Sequence, residues 1–202
     1  MLRYGLTGGI ASGKSTVAAM LRERGFPVLE ADKISHALIE PGGAAFEEVL
    51  ARFGREIVDA DGKINRGRLG AMVFRDPEKL QNLNGILHPK VEEELLRRLV
   101  ELEKSGAVAV AFVEAALIFE AGMDKRLDGV VVAWCLPEQQ VARLMERGIS
   151  EAEARQRMAT QMPAQRKLAL AAEKIDCSGS IEETRSQVDA LATRLRAAAS
   201  AN

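Results

Sequence analysis

A phosphate-loop pattern near the start of the chain is the feature that most restricts its fold. Residues 8–15 read Gly-Gly-Ile-Ala-Ser-Gly-Lys-Ser and match G-x-x-x-x-G-K-[ST] without departure. The two glycines of this pattern let the chain turn so tightly that successive backbone N–H groups converge on phosphate oxygens. The lysine adds a charge for the β- and γ-phosphates, and the Ser/Thr hydroxyl can ligate Mg²⁺. We expect this segment, the phosphate loop, to bind a nucleoside triphosphate.

The residues on both sides of the phosphate loop have the context that the pattern requires. Leu2–Thr7 has the pattern of a strand leading in, and Thr16–Arg24 that of a helix leading out. Such a helix directs the positive end of its dipole at the bound anion. The expected ATP contacts are Gly9, Ile10, Ala11, Ser12, Gly13, Lys14, Ser15 and Thr16.

The periodicity of the whole chain predicts a doubly wound α/β fold. Five short apolar runs rich in Val and Ile have the pattern of buried parallel strands, and helical patterns separate them. The runs are Leu2–Thr7, Pro27–Glu30, Ala107–Val113, Gly129–Leu136 and Lys174–Cys177. Capping boxes are predicted where Ser150 precedes Glu153 and where Ser180 precedes Glu183. We therefore expect one five-stranded parallel sheet with helices on both faces.

The second and third strands are separated by about 75 residues, although a crossover needs only about a dozen. The predicted helices of this insertion are Ala44–Phe53, Asn65–Phe74, Pro77–Ile86 and Pro89–Lys104. An insertion here opens at the carboxyl edge of the sheet, where ligands bind in this architecture. We expect residues 35–104 to be a platform for a second substrate, and residues 1–34 with 105–202 to form the nucleotide-binding core. The alternative is a helical subdomain without a substrate role.

Two acidic positions at the ends of predicted strands each have two interpretations. Asp32, just after Glu30, could accept the proton of an attacking hydroxyl, as in kinase-type phosphoryl transfer. It could equally be the N-cap of a helix predicted over Lys33–Ile39. Glu114 could hold Mg²⁺ through water, or it could form a salt bridge with a neighbouring side chain.

A cluster of cations lies between the fourth and fifth strands, in a predicted lid at about residues 137–170. Its members are Arg143, Arg147, Arg155, Arg157, Arg166 and Lys167. Charge runs are usually solvated helix faces, and nearby glutamates could pair with some of these cations. P-loop kinases, however, keep lid arginines here that neutralise charge on the transferring phosphoryl group. We expect one or two of the six to act in this way, Arg143 first.

His88 is notable because the chain has only 2 histidines. Pro89 follows it and is predicted to begin a helix, so His88 could simply cap that helix. A functional role is the second interpretation.

Composition limits the partners and the location of the chain. Its 202 residues include 28 Lys and Arg against 29 Asp and Glu, so its net charge of −1 is too small to draw it to nucleic acid or to a membrane. Cys135 and Cys177 have neither metal-ligand spacing nor the density of a disulfide scaffold. The longest apolar stretch, Ala107–Phe119, is too short to span a bilayer, and the phosphate loop leaves no room for a signal peptide before it. We expect a cytoplasmic protein; no pattern indicates an oligomeric state.

Several segments occur in the order found in one known family. They are Thr7–Thr16, Asp32, Leu87–Pro89, Leu117–Glu120, Ile175–Asp176 and Ser178–Ser180. Together they make the chain similar to dephospho-coenzyme A kinases, from Leu2 to about Leu195. The phosphate loop alone is shared by many NTPases, whereas the ordered set is much more specific.

The resemblance implies a P-loop core of nucleotide-kinase type, a helical acceptor-binding insertion and an arginine-bearing lid. It implies transfer of the γ-phosphate of ATP, with Mg²⁺ as cofactor, to the ribose 3′-hydroxyl of 3′-dephospho-CoA. The products are coenzyme A and ADP. Position by position, it implies Asp32 as general base, Lys14 and Ser15 as phosphate and Mg²⁺ ligands, and Arg143 as a lid arginine. His88 matches an acceptor-binding position.

Three positions depart from the family. Glu30 and Glu114 stand where Asp is usual, which keeps the charge but lengthens the side chain and so bears on metal geometry. Cys177 stands where Asn is common, which removes an amide near the expected adenine loop.

Two other functions fit part of the sequence. One is another nucleoside monophosphate or small-metabolite kinase of the same fold, although the long insertion argues for a larger acceptor. The other is an NTP-driven switch or motor. A switch would show [NT]-K-x-D after a late strand, and a motor would show a second acid after Glu114, where Ala115 stands instead.

Overall fold

A computed structural model describes residues 1–73 and 75–201 of the chain. Its five strands form one sheet in the order β2-β3-β1-β4-β5. The strands are β1 (Leu2–Thr7), β2 (Val28–Glu30), β3 (Val110–Glu114), β4 (Gly129–Trp134) and β5 (Glu173–Asp176). Strand β1 pairs in parallel with β3 and β4, and β4 pairs in parallel with β5. The prediction of a five-stranded parallel α/β sheet is confirmed.

Helices connect these strands and build the long insertion. They are α1 (Lys14–Glu23), α2 (Ala31–Leu38), α3 (Phe46–Phe53), α4 (Arg66–Val73), α5 (Pro77–Lys104), α6 (Pro137–Glu146), α7 (Glu151–Ala159), α8 (Ala164–Leu170) and α9 (Ile181–Ser200). Short 3₁₀ turns occupy Arg55–Ile57 and Met123–Arg126. None of the helices within the described ranges is long and apolar enough to cross a membrane.

The chain separates into two compact units. One comprises Met1–Leu29 and the chain from Glu101 onward, and the other comprises Glu30–Val100. In the first unit, every residue of β3 is buried, and Phe112 packs edge-on against Phe26 with ring centroids 5.7 Å apart. The second unit has its own apolar core from α3, α4 and the first part of α5, with Val49, Leu69 and Leu83 among its members. The assignment of nucleotide and acceptor domains to particular residues stays a prediction.

The two helices predicted on either side of His88 are one helix. Helix α5 runs through Pro89 without a break, so the prediction that Pro89 begins a helix is wrong. An interior proline removes one backbone hydrogen bond and costs about 3 kcal/mol. Five residues spaced four apart outweigh it, because they form one buried apolar stripe on both sides of the proline; they are Leu83, Leu87, Val91, Leu95 and Leu99. The predicted helix Asn65–Phe74 is observed as Arg66–Val73, and Phe74 lies outside the described residues.

One of the two predicted capping boxes forms. At Ser180, the hydroxyl accepts from the Glu183 N–H and the Glu183 carboxylate accepts from the Ser180 N–H. At Ser150, only the hydroxyl half is present, with the Glu153 N–H donating at 3.3 Å. The Glu153 carboxylate instead pairs with Arg157 one turn later, at 2.6 Å, so the full box predicted there is wrong.

Candidate active site

The phosphate loop joins β1 to α1 and packs closely against its surroundings. Gly13 has φ 103°, in the left-handed region that favours glycine, and a Cβ there would lie 2.8 Å from the Cys177 side chain. A Cβ on Gly8 would collide with the Ala133 carbonyl oxygen at the end of β4. Helix α1 begins at Lys14 rather than at the predicted Thr16. Its first N–H groups are therefore those of the loop itself, as an anion-binding helix start requires.

Lys14 and Glu114 form an ion pair at the carboxyl edge of the sheet. Lys14 Nζ lies 2.6 Å from Glu114 Oε1, and Arg22 Nη2 lies 3.9 Å from the second carboxylate oxygen. The Glu114 side chain is only 8% exposed, so its charge needs a partner. Of its two predicted roles, the salt bridge is therefore observed, and metal binding stays a prediction.

Two serines of the loop present oxygens that suit a phosphate and its cation. Ser12 Oγ is buried and has no hydrogen-bond partner among the described residues. Ser15 is exposed, and its hydroxyl makes no hydrogen bond within the described chain. Hydroxyl and carboxylate oxygens are hard donors that Mg²⁺ accepts beside nucleotide phosphates. Ser15 and Glu114 therefore fit the predicted cation by the chemistry of their donors.

A pocket of about 280 Å³ continues from the phosphate loop. Arg143 lies against it and is anchored, because Nη1 donates to the Ala11 carbonyl at 3.1 Å and Nη2 donates to the Cys177 carbonyl at 2.8 Å. The pocket is lined by Ala11, Gly13, Thr16, Arg143, Arg147, Cys177, Gly179, Ser180, Ile181 and Thr184. Arg143 thus joins the loop to the segment that follows β5.

The other cations of the predicted lid have different environments. Arg155 and Arg157 pair with Glu151 and Glu153 one turn earlier on α7, as expected for a solvated helix face. Lys167 is 1% exposed; its ammonium lies 2.9 Å from Glu120 and donates to the Ala116 carbonyl at 2.7 Å. Lys167 is therefore a buried structural cation.

Glu120 is the more exposed partner in that pair, with 24% of its side chain accessible. Burial favours the neutral form of its carboxyl, but hydrogen bonds from Lys167 and from the Met162 N–H outweigh burial and lower the pKa of Glu120. The motif Leu117–Glu120 thus ties the loop after β3 to the residues between α7 and α8.

Cys177 lies beside Gly13, and burial raises the pKa of its thiol to about 11. Burial also raises the pKa of Cys135. Both cysteines are free and buried. Their thiols are therefore protonated and unreactive at neutral pH.

Asp32 lies in the first turn of α2, and its side chain is exposed. The N-cap of that helix is Glu30, which makes no side-chain capping bond and pairs with Lys33 at 2.9 Å. The cap interpretation of Asp32 is therefore wrong. Within its own unit, no hydrogen bond or ion pair to the Asp32 carboxylate occurs among the described residues.

His88 is exposed in the interior of α5. It cannot be the cap of a helix that continues through it, so the cap interpretation is wrong here too. Its predicted role in acceptor binding stays a prediction.

Three cations of the second unit differ in their partners. Arg68 lies 3.6 Å from Asp59, and Lys90 lies 3.1 Å from Glu48. Arg66 instead contacts a neutral partner, because its Nη1 lies 2.6 Å from His36 Nδ1. A guanidinium can only donate, so Nδ1 must accept and the imidazole must be neutral. Burial first, and the Arg66 charge second, lower the pKa of His36.

Sequence reasoning missed two glutamines that contact the phosphate loop. The Gln140 side-chain amide donates to the Ile10 carbonyl at 2.6 Å, and the Gln161 side-chain oxygen accepts from the Ile10 N–H at 2.8 Å. Gln140 lies beside Val141 and one turn before Leu144, both buried. The sequence signal that could have identified Gln140 was a polar residue at the edge of an apolar helix face.

The comparisons with known proteins match the chain to one family of enzymes. The chain matches the family model of dephospho-CoA kinase over residues 2–183. A dephospho-CoA kinase of Carboxydothermus hydrogenoformans is 45% identical over 185 residues, which cover 91% of this chain and 89% of that protein. Another, of Geobacillus kaustophilus, is 43% identical over 191 residues, 94% of each chain.

Solved structures agree with these sequence matches. A crystal structure of a Thermus thermophilus protein matches with TM-score 0.82 and 35% identity over 96% of this chain and 97% of that one. A dephospho-CoA kinase from Campylobacter jejuni matches with TM-score 0.66 and 27% identity over 96% of both.

Proposed function

The chain belongs to the dephospho-CoA kinase family, whose members transfer phosphate to a 3′-hydroxyl, and from this premise we propose which of its residues carry the reaction. The reaction moves the γ-phosphate of ATP to the ribose of 3′-dephospho-CoA, the final step of coenzyme A synthesis. One observation carries the assignment of the donor site. The phosphate loop and the 280 Å³ pocket are continuous, since Ala11 and Gly13 belong to both and Thr16 follows the loop directly.

ATP binds with its phosphates on the loop and its adenine in the pocket. The backbone of Gly9, Ile10, Ala11, Ser12, Gly13, Lys14, Ser15 and Thr16 surrounds the phosphates. Arg143 lies between the loop and the segment after β5, which lets its charge act on the phosphates while its plane faces the base. Lys14, held by Glu114, supplies the charge that the transition state needs.

Mg²⁺ accompanies ATP, with Ser15 and Glu114 as its protein ligands, Glu114 through water. When bound, it neutralises phosphate charge. The longer Glu in place of Asp reaches Lys14 directly.

Asp32 is the general base, and the insertion binds the acceptor. An exposed carboxylate without an ion pair in its own unit can accept the proton of the 3′-hydroxyl as that oxygen attacks phosphorus. Residues 35–104 bind the remote parts of the acceptor, with His88 among the contacts. Binding energy from those parts aligns the hydroxyl for in-line attack.

The enzyme acts on small molecules in the cytoplasm and has no nucleic-acid partner. The near balance of 28 basic and 29 acidic residues supports this part of the proposal.

ADP release with Mg²⁺ and ATP across a panel of acceptors tests the proposed function. We expect fast turnover with dephospho-CoA, and a kcat/KM lower by roughly 10²-fold or more with adenosine or AMP, which lack the remote groups. Comparable turnover of AMP would favour a nucleoside monophosphate kinase and overturn the acceptor assignment.

A further inference from the structure

Two glutamines from the lid segment hold the two backbone groups of one phosphate-loop residue. Gln140 donates to the Ile10 carbonyl at 2.6 Å, and Gln161 accepts from the Ile10 N–H at 2.8 Å. A carbonyl only accepts and an N–H only donates, so these partners determine which end of each side-chain amide faces the loop. Gln140 is 6% exposed, which makes its contact a buried one.

The residue after Ile10 has a backbone conformation that needs such support. Ala11 has φ 57° and is the only residue other than glycine with positive φ in the described chain. The left-handed region is costly for a residue with a Cβ and persists where the surroundings hold it. Arg143 and the Cys135 thiol both donate to the Ala11 carbonyl, at 3.1 and 3.8 Å. Side-chain contacts therefore hold both the Ile10 carbonyl and the Ala11 carbonyl.

The orientation of the peptide between Ile10 and Ala11 has a consequence for ligand binding. In a trans peptide the carbonyl and the following N–H point in opposite directions. Gln140 fixes the Ile10 carbonyl and thereby turns the Ala11 N–H away from the lid segment. No hydrogen bond of that N–H occurs within the described residues, which leaves it for a phosphate oxygen.

Gly9 leaves room for the Gln140 contact. A Cβ on Gly9 would lie 2.6 Å from Gln140 Nε2, although the phosphate-loop pattern does not require glycine at this position. Gly9 thus lets the Gln140 amide reach the loop.

Gln161 is anchored from the other side. The N–H of the next residue, Met162, donates to Glu120 at 3.0 Å, and Glu120 pairs with the buried Lys167. The position of Gln161 over Ile10 is therefore supported by an ion pair whose lysine is buried.

We propose that Gln140 and Gln161 are positioning residues that hold the phosphate loop in the conformation that binds ATP. They act through the backbone of Ile10 and touch no reacting atom. The proposal rests on the proposed function only in taking ATP as the ligand of the loop.

The loop needs a hydrogen-bond donor at position 140 and an acceptor at position 161, so substitutions can test the two contacts separately. Gln161→Glu keeps the accepting oxygen and Gln161→Met removes it at similar size. Gln140→Glu replaces the donor with a carboxylate that faces a carbonyl. Gln165→Glu, at an exposed position of α8, adds the same charge to the same segment and is the control.

The first measurement is hydrogen exchange of the Ile10 amide in the protein without nucleotide. We expect at least about fivefold faster exchange in Gln161→Met, and exchange as in the parent in Gln161→Glu and Gln165→Glu. Unchanged exchange in Gln161→Met overturns the proposal.

The second measurement is the KM for ATP at saturating dephospho-CoA. We expect Gln140→Glu to raise it roughly tenfold or more, and Gln165→Glu to leave it unchanged. If Gln140→Glu does not fold, Gln140→Met replaces it, with a rise of at least about threefold expected; an unchanged KM there contradicts the role of Gln140.

The proposed function and the proposed role of the two glutamines can be contradicted independently. The exchange experiment uses no acceptor, so it can support the glutamine contacts even if dephospho-CoA is not phosphorylated. Turnover of dephospho-CoA with unchanged exchange in Gln161→Met would leave the proposed function standing and remove this inference.

Discussion

At the scale of single residues, two acids that the sequence marks as candidates have opposite environments. Glu114 is buried and paired with Lys14 at 2.6 Å, whereas Asp32 is exposed in the first turn of α2. The Glu114 carboxylate is occupied by Lys14, whereas the Asp32 carboxylate has no hydrogen bond or ion pair within its own unit among the described residues and is accessible to a substrate hydroxyl. The environment therefore separates the proposed metal ligand from the proposed base.

Replacing Asp32 tests the proposed base. Asp32→Asn keeps the shape of the side chain but cannot take the proton of the 3′-hydroxyl, so we expect kcat to fall by roughly 10²-fold or more with little change in the KM for ATP. Steady-state kinetics with Glu40→Gln as control, an exposed acid just after the same helix, checks that loss of charge alone has no such effect. Near-parental turnover of Asp32→Asn would exclude the role of base.

His36 gives the second unit a dependence on pH. Burial and the Arg66 charge lower its pKa below the ordinary value of 6.5, against the opposing charges of Asp32 and Glu40. The unfolded chain therefore takes up this proton first as pH falls. The stability that neutral His36 contributes is complete above about pH 6.5 and is lost as pH falls through the folded pKa.

An NMR titration of the imidazole signals measures this effect. The chain has 2 histidines, so a His88→Gln variant assigns the two signals. We expect a His36 midpoint below 6.5 and a smaller acid loss of stability in His36→Gln, whose side-chain oxygen can accept from Arg66 without titrating. A midpoint at or above the ordinary value would contradict the neutral contact with Arg66.

At the scale of elements, local signals predicted some features and long-range contacts decided the others. The five strands were predictable from short runs between helical patterns, and β1 matches its predicted bounds, Leu2–Thr7. The weakest of these signals is β5, because Ile175 is the one apolar residue of Glu173–Asp176. Pro89 was a local signal for a helix boundary, but the helix continues through it because the apolar stripe of α5 is buried on both sides. The Gln140 and Gln161 contacts join residues more than a hundred positions apart in sequence. A local pattern could mark Gln140 as unusual, but it could not predict that Ile10 is the partner.

The same substitution at two glycines separates helix propensity from close packing. Gly85→Ala lies within α5, where a Cβ meets nothing within 4 Å, so we expect the free energy of unfolding to rise by about 1 kcal/mol. Gly8→Ala places a methyl group against the Ala133 carbonyl, so we expect lower stability and loss of ATP binding. Urea unfolding of both variants measures the difference, and equal effects would mean that packing around the phosphate loop does not require Gly8.

At the scale of the whole molecule, the two units have separate tasks in the proposed mechanism. The unit with the sheet contains the phosphate loop, Lys14, Arg143 and Glu114, and the unit Glu30–Val100 contains Asp32 and His88. Each has its own apolar core. The proposed chemistry uses residues of both units, so we expect a substitution in either unit to change activity, whereas its effect on stability can stay within one unit.

Variants of the Lys14–Glu114 pair can separate effects on the stability of the whole molecule from effects on its activity. Lys14→Met leaves the buried Glu114 charge with Arg22 at 3.9 Å as its remaining ion-pair partner among the described residues. We therefore expect the free energy of unfolding to fall by roughly 3 kcal/mol and turnover to be nearly abolished. In the double variant with Glu114→Gln, no buried charge remains unpaired, so stability should recover while turnover stays lost, because the phosphates still lack their lysine. Urea unfolding and ADP release on the two single variants and the double variant complete the cycle. Recovery of turnover in the double variant would show that Lys14 serves only to neutralise Glu114.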